Sequence, residues 1–415
     1  MDEIQNLFLT ALRAGLRQER VNWEQPMETE RWAALFQLAA EHKVLPMIYE
    51  AVYACPGARA ADARLLVAYK QQTVMAVMQQ TRKTSEFLAL YAFLRESGVT
   101  PLVVKGIVCR TLYPKPDNRP SGDEDLLIPA EEFPKCHQAL LDYGMEVADP
   151  KADLDTAYEV PYRKPGSPLY IELHKRLFPP DSEAYGDLNR FFADARPETL
   201  TVDGQEIATL APTVHLLYLI CHALKHFLHS GFGIRQVSDL VLYANRYGRN
   251  VDWQRLLDCC REMHGEVFAA ALFRIGQRYL TFDPEQAEYP AAWRAIPVDE
   301  GPLLEDLLAS GVYGDATMSR KHSSNITLDA VAAEKQGTHA AGLRKTLFPT
   351  AKQLEGRYPY LKDKPYLLPA AWMSRWAQYG KETLGHRDGN NRAADAMKIG
   401  SQRVELLRQY GILRK

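Results

Sequence analysis

Three carboxylates in the middle of the chain stand at strand spacing. In Ser121-Gly-Asp-Glu-Asp-Leu-Leu-Ile128 the acids Asp123 and Asp125 are two residues apart. A strand there aims both at one face, with Glu124 and Leu126 on the other. Two carboxylates side by side repel at neutral pH unless a cation neutralises them. Mg2+ (or Mn2+) suits such an oxygen site, completed by water and phosphate. Ser121 and Gly122 add a small donor and a tight backbone where a phosphate has to come close. In Tyr170-Ile-Glu-Leu-His174 the alternation repeats: Glu172 shares a face with Tyr170 and His174, and Ile171 and Leu173 take the other. A lone charge in so apolar a strand is costly unless paired or metal-bound. With a third acid a two-metal site becomes possible, one ion on a triphosphate and one activating an attacking hydroxyl. The competing interpretation of Asp-x-Asp is an exposed acidic turn.

The elements that have to position these acids are legible in outline. Residues 1–98 are patterned as helices, with a long run from Ala61 to Glu96 that Gly98 ends. At Thr100 the character changes. Pro101–Lys105 is a short buried strand, Ile107–Tyr113 a helical turn, Asp123–Ile128 a second strand, and 130–143 a helix stopped by Gly144. Ala157–Arg163 and Leu169–Leu173 flank Lys164-Pro-Gly-Ser-Pro168 as a hairpin, and strands 199–203 and 205–209 turn at Asp203-Gly204. From Ala211 the chain is helical again, with a mobile loop expected around Tyr313–Thr327 and a basic closing helix bearing Arg403, Arg408, Arg414 and Lys415. The expected class is α+β: a small mixed-sheet core at 99–210 between helical regions at 1–98 and 211–415.

Composition narrows the function. Hydrophobic residues at 46%, charged residues at 25% and a net charge of -2 describe an ordinary globular chain. That balance offers no whole-molecule attraction for nucleic acid or anionic membrane, so any anion site is local. The first helix lacks the basic start and apolar run of a signal peptide, and no segment has the roughly 18–20 apolar residues of a membrane span. The six scattered cysteines include no Cys-x-x-Cys pair and suggest reduced thiols, hence a cytoplasmic protein.

At VVKGIVCRTLYPKPDNRPSGDEDLLI and YIELHKRL the chain resembles the polymerase-β-like nucleotidyltransferase superfamily, and within it a bacterial family of uncharacterised nucleotidyltransferases. The likeness continues through HLLYLICHALKHFLHSGFGIRQVSDLVLY and into LFPTAKQLEGRYPYL and PYLLPAAW. It implies a metal-dependent transfer of a nucleoside monophosphate from an NTP to a hydroxyl, releasing pyrophosphate. By the same resemblance Asp123 and Asp125 would hold the metals, and Glu172 would complete the second metal site and help orient or deprotonate the acceptor. The Gly106 backbone, Lys105, Arg119 and Ser121 would contact phosphates, and Gly122 and His174 would belong to the nucleotide site. The superfamily's Gly-Ser is Gly106-Ile107 here, so Lys105, Arg119 or Ser121 would replace the missing serine. Lys175 follows His174 where the family often has an aromatic residue.

Other residues admit two interpretations. His222, His226 and His229 share a helix face, as zinc ligands or as packing; alternatively Lys225, His226 or Arg235 grips phosphate or base at the cleft beside the core. Asp239, four residues after Arg235, reads as a surface ion pair. The closing basic helix reads as a solvated face rather than an RNA grip, and the absence of a long basic stripe argues against a polymerising or tRNA-modifying role. The acceptor is a small molecule or a protein side chain, unidentified. The alternatives are a non-catalytic nucleotide-binding, regulatory or toxin–antitoxin protein on the same scaffold, and a histidine-based metallohydrolase.

Overall fold

The first helix begins at a reciprocal cap: the Asp2 carboxylate accepts from the Gln5 N–H, and the Gln5 side chain accepts from the Asp2 N–H. This helix, α1 (Glu3–Leu16), packs on α2 (Thr29–Glu41) and α3 (Leu45–Val52), followed by α4 (Pro56–Arg59) and α5 (Ala63–Glu96). Asp62 caps α5, and Gly98 at φ +73° ends it, with the Val99 N–H returning to the Leu94 carbonyl. At 34 residues α5 is roughly 50 Å long. Its first half packs Leu65, Leu66 and Tyr69 on the apolar cluster of the N-terminal helices. Its second half delivers Phe87, Leu90, Tyr91 and Leu94 to the core of the sheet.

The computed structural model describes residues 1–310 except 181, 183, 184, 194 and 230, and then 354, 358–361, 364–374 and 392–413. The loop expected at Tyr313–Thr327 lies outside these residues, as do Arg414 and Lys415.

The sheet is mixed. Its strands are β1 (Leu102–Val103), β2 (Glu124–Leu127), β3 (Glu146–Val147), β4 (Glu159–Arg163), β5 (Tyr170–His174), β6 (Pro197–Val202) and β7 (Gln205–Leu210), arranged in the order β3-β4-β5-β2-β1-β7-β6. The expected hairpins form: β4 and β5 are antiparallel with Arg163 opposite Tyr170, and β6 and β7 close at Val202 opposite Gln205. Asp203 (φ +49°) and Gly204 (φ +81°) both adopt the left-handed turn that such a two-residue connection requires. The decisive pairing is non-local. β2 runs parallel to β5, and Asp125 is the register partner of Glu172. The short edge strand β3 carries no alternation that the sequence could have revealed. Between β1 and β2 comes α6 (Ile107–Arg110), and α7 (Phe133–Asp142) follows β2.

Beyond the sheet lie α8 (Pro212–Leu228), α9 (Ile234–Tyr247), α10 (Trp253–Glu262), α11 (Glu266–Tyr279), α12 (Ala291–Arg294) and α13 (Gly301–Ser310), with a closing helix at Arg392–Gln409. The molecule is thus α+β, with helical regions flanking the sheet. Arg403 corrects the solvated-face expectation for the closing helix: it is buried, donating to the Phe227 and His229 carbonyls at the end of α8. Among the described residues no helix is long and apolar enough to cross a membrane.

Candidate active site

Strand alternation distributes the acids as the sequence implies. Ile171 and Leu173 enter the core of the sheet, leaving Glu172 and His174 on the opposite face beside Asp125. Ligand atoms of Asp125, Glu172 and His174 all lie within 4.8 Å of one another, the one such group able to hold a metal among the described residues. Asp123, just before β2, joins through Lys105, whose Nζ is 3.7 Å from Asp123 Oδ1 and 3.3 Å from Asp125 Oδ2. Lys105 lies two residues beyond β1, and the Val104 N–H between them donates to the Asp125 carbonyl and holds it there.

The electrostatics follow from that packing. Burial works against the Lys105 ammonium, but Asp123, Asp125 and Glu172 outweigh it, and its pKa is raised. Burial would raise the Asp125 pKa; Lys105 and His174 instead hold it well below the usual carboxylate range. Glu172 has weaker compensation, and burial, then Asp125 and Asp123, push it up to about 7. For His174 burial disfavours the charged ring, yet Asp125, Glu159 and Glu172 raise its pKa overall. His222 Nε2 lies 3.2 Å from Lys105 Nζ and 3.1 Å from His226 Nε2. Burial and Lys105 push both imidazoles far down, so both are neutral and His222 can accept from the ammonium.

Glu124 has a different task. On the back of β2 it is fully buried, with Oε2 accepting the Ile107 N–H at 2.6 Å and Oε1 accepting from Arg110. It therefore caps α6. Gly106 sits at φ +55°, and a Cβ there would lie 1.8 Å from Glu124 Oε2. The amide next to Gly106 is thus occupied by Glu124 rather than turned to a ligand. Ser121 likewise braces its loop: its Oγ accepts from Arg110 at 2.8 Å and its N–H donates to Gln80 Oε1. Lys83 from α5 is buried and donates to the Ser121 and Gly122 carbonyls, holding the turn that leads into Asp123. Gly122 itself is exposed, with nothing within 4 Å of a Cβ position.

Two expectations need correction. Asp239 forms no surface pair with Arg235; it is buried and takes two hydrogen bonds from Arg119, at 2.7 and 2.6 Å, and one from Tyr113. Arg119, fully buried in that pair, is removed from phosphate reach, while Arg235 donates to the Pro120 carbonyl. Nor do His222, His226 and His229 make a zinc group, because Lys105 stands against the first of them. Lys225 Nζ lies over the Tyr158 ring, 5.6 Å from its centroid.

Lys105, Asp123, Asp125, Glu172 and His174 are therefore brought together, and Gly106, Arg119, Ser121 and Arg235 act around them as framework. The sequence reading missed Lys83, Arg110 and Glu159. Only the period-two pattern of Ala157–Arg163 pointed to Glu159, and using it required knowing that Glu159 pairs with His174. A separate hollow lined by Arg20, Glu50, Tyr53, Lys115 and Asn118 shares no residue with the acids.

The donor set fits a divalent ion. Both His174 ring nitrogens are buried without a well-formed hydrogen bond, with carboxylate oxygens no nearer than 3.4 Å, which leaves the ring able to take a metal ion as a further partner. A family model described as uncharacterised nucleotidyltransferase matches residues 28–281 of the chain. No curated protein and no solved structure matches it.

Proposed function

The chain belongs to the uncharacterised nucleotidyltransferase family, and from that premise we propose a divalent-metal-dependent enzyme that moves a nucleoside monophosphate from an NTP to a hydroxyl of a small-molecule or protein acceptor. The observation that carries this reading is the register pairing of Asp125 with Glu172, beside Asp123 and Lys105. Acids this close are arranged for cation binding rather than for an exposed turn.

The bond that forms joins the acceptor oxygen to the α-phosphorus, and the bond that breaks releases pyrophosphate. A bound divalent ion supplies charge neutralisation at the phosphates and acidifies a hydroxyl in contact with it. The protein residues do the rest. Asp123, Asp125 and Glu172 would hold the ion and orient what binds to it. Lys105 presents a fixed positive charge at the same carboxylates, where a phosphate oxygen can meet it. Glu172, the register partner of Asp125, would help orient or deprotonate the acceptor hydroxyl. Lys83, Arg110 and Glu124 keep the loop and strand from shifting, which matters because positioning dominates phosphoryl transfer.

The test is thermal stability with each of the four NTPs, with and without Mg2+ or Mn2+, followed by pyrophosphate release against cell metabolites. At least one NTP should raise the melting temperature only when the ion is present, because without it the carboxylates repel the triphosphate. Asp125→Ala should lose that rise and reduce pyrophosphate release by at least about a hundredfold, while remaining folded. If no NTP shifts the melting temperature, or if the variant turns over at the wild-type rate, the proposal is wrong.

A further inference from the structure

We infer that His174, through Nε2, is a direct ligand of the divalent ion held by Asp125 and Glu172, giving a mixed nitrogen–oxygen site that favours a first-row transition ion over Mg2+. This rests on the preceding reading of the site and departs from the all-oxygen site implied by the sequence.

The argument begins with the ring. His174 is 3% exposed, and neither of its nitrogens makes a well-formed hydrogen bond. Its nearest partners are carboxylates at the outer limit of hydrogen-bonding distance, which leaves the ring placed for a stronger bond to a cation between them. Nε2 points into the acids, 3.4 Å from Asp125 Oδ1 and 3.8 Å from Glu172 Oε2. On the other side Nδ1 lies 3.5 Å from Glu159 Oε2, another buried atom without a hydrogen-bond partner. Glu159 is the cross-strand partner of His174, so the sheet itself fixes this approach.

A carboxylate beside Nδ1 holds a ring in the tautomer with the proton on Nδ1, leaving the Nε2 lone pair free for a metal. Lys105 completes the division. It lies on the Oδ2 side of Asp125, towards Asp123, and leaves Oδ1 on the side of His174. The cluster thus has one side neutralised by an ammonium and another lined by one nitrogen and carboxylate oxygens. Imidazole strengthens binding of transition ions, whereas Mg2+ strongly prefers oxygen and retains its water.

The experiment uses the full chain, with Mn2+ as probe and Mg2+ as competitor. Pulsed electron paramagnetic resonance of bound Mn2+ should show coupling to a ring nitrogen, and that coupling should vanish in His174→Gln. Displacement by Mg2+ should show a wild-type preference for Mn2+ that falls about tenfold or more in His174→Gln, and Glu159→Gln should weaken Mn2+ binding about tenfold or more. Absence of nitrogen coupling in the wild type, or its persistence in a folded His174→Gln, overturns the inference. Should His174→Gln fail to fold, the double variant His222→Gln/His226→Gln decides: coupling that survives supports His174, and coupling that disappears overturns it. Mn2+ bound through oxygen alone would sink the His174 assignment and leave nucleotidyl transfer standing. Failure to bind either ion, with or without NTP, would sink both.

Discussion

Among the converging acids, Glu172 is the one whose pKa lies near 7, raised from its ordinary 4.5 by burial and then by Asp125 and Asp123. The linkage sign follows directly. A folded-state pKa above the unfolded value means that the folded protein binds this proton more tightly. The stability so gained is fully present below pH 4.5 and is lost as pH rises through about 7. His174, also raised, acts in the same direction. The buried histidines His42, His215, His222 and His226, whose pKa values are lowered, act the other way over part of this interval, so the effect of Glu172 is read as a difference: in the presence of a chelator Glu172→Gln should gain stability relative to the wild type as pH rises from about 5 to 8. A stability difference between Glu172→Gln and the chelated wild type that does not change with pH would contradict this assignment of charge. Divalent-ion affinity should move the opposite way, strengthening through the same interval, because the ion displaces the proton.

The β1–α6–β2 unit depends on a glycine and a carboxylate that fit each other. Gly106 takes a positive φ, and the Glu124 carboxylate fills the space where a side chain would be. Gly106→Ala should cost about 1–3 kcal/mol from backbone strain alone, with a further loss as Glu124 is displaced from the Ile107 N–H. Urea unfolding measures it, and a loss below about 0.5 kcal/mol would show that the turn relaxes freely. The glycine was legible in the sequence, because Val103-Val-Lys-Gly106 ends a strand before a helix. Its partner was not. The alternation set Glu124 with Leu126 on the face away from the two acids, and only the placement of α6 and Arg110 behind β2 shows why a charge is buried there. Lys83 was hidden for a related reason: on a helix with so many polar residues, nothing local marks the lysine that reaches the Ser121 and Gly122 carbonyls.

Across the molecule, the segment that leads into the acids is tied to the helical region following the sheet. Arg119 and Tyr113 both donate to Asp239 on α9, and Arg235 from the same helix reaches the Pro120 carbonyl. These groups are buried, so removing one partner leaves an uncompensated charge. Asp239→Ala should destabilise by about 3–5 kcal/mol, whereas the paired change Arg119→Met with Asp239→Leu should recover much of that loss. Equal destabilisation by the single and paired variants would show that packing, rather than charge, sets the cost. The ties span 120 residues in the case of Arg119. Arg235 and Asp239 suggested a local pair because four residues is one helical turn, yet the aspartate bonds to the distant arginine instead.

The sequence by itself determined whatever depends on neighbours along the chain. That includes the succession of helical and strand segments apart from β3, the hairpins at Lys164–Pro168 and Asp203-Gly204, and the alternation that turns Asp125 to one face of β2 and Glu172 to one face of β5. Periodicity and turn chemistry are local properties, and they survive into the fold. Only the tertiary structure decided which strands lie side by side and which charges meet. The parallel pairing of β2 with β5 put Asp125 opposite Glu172, the antiparallel pairing of β4 set Glu159 against His174, and α9 withdrew Arg119 from the site. Charges separated by tens of residues find one another through the packing of whole elements, and no spacing along the chain encodes that distance.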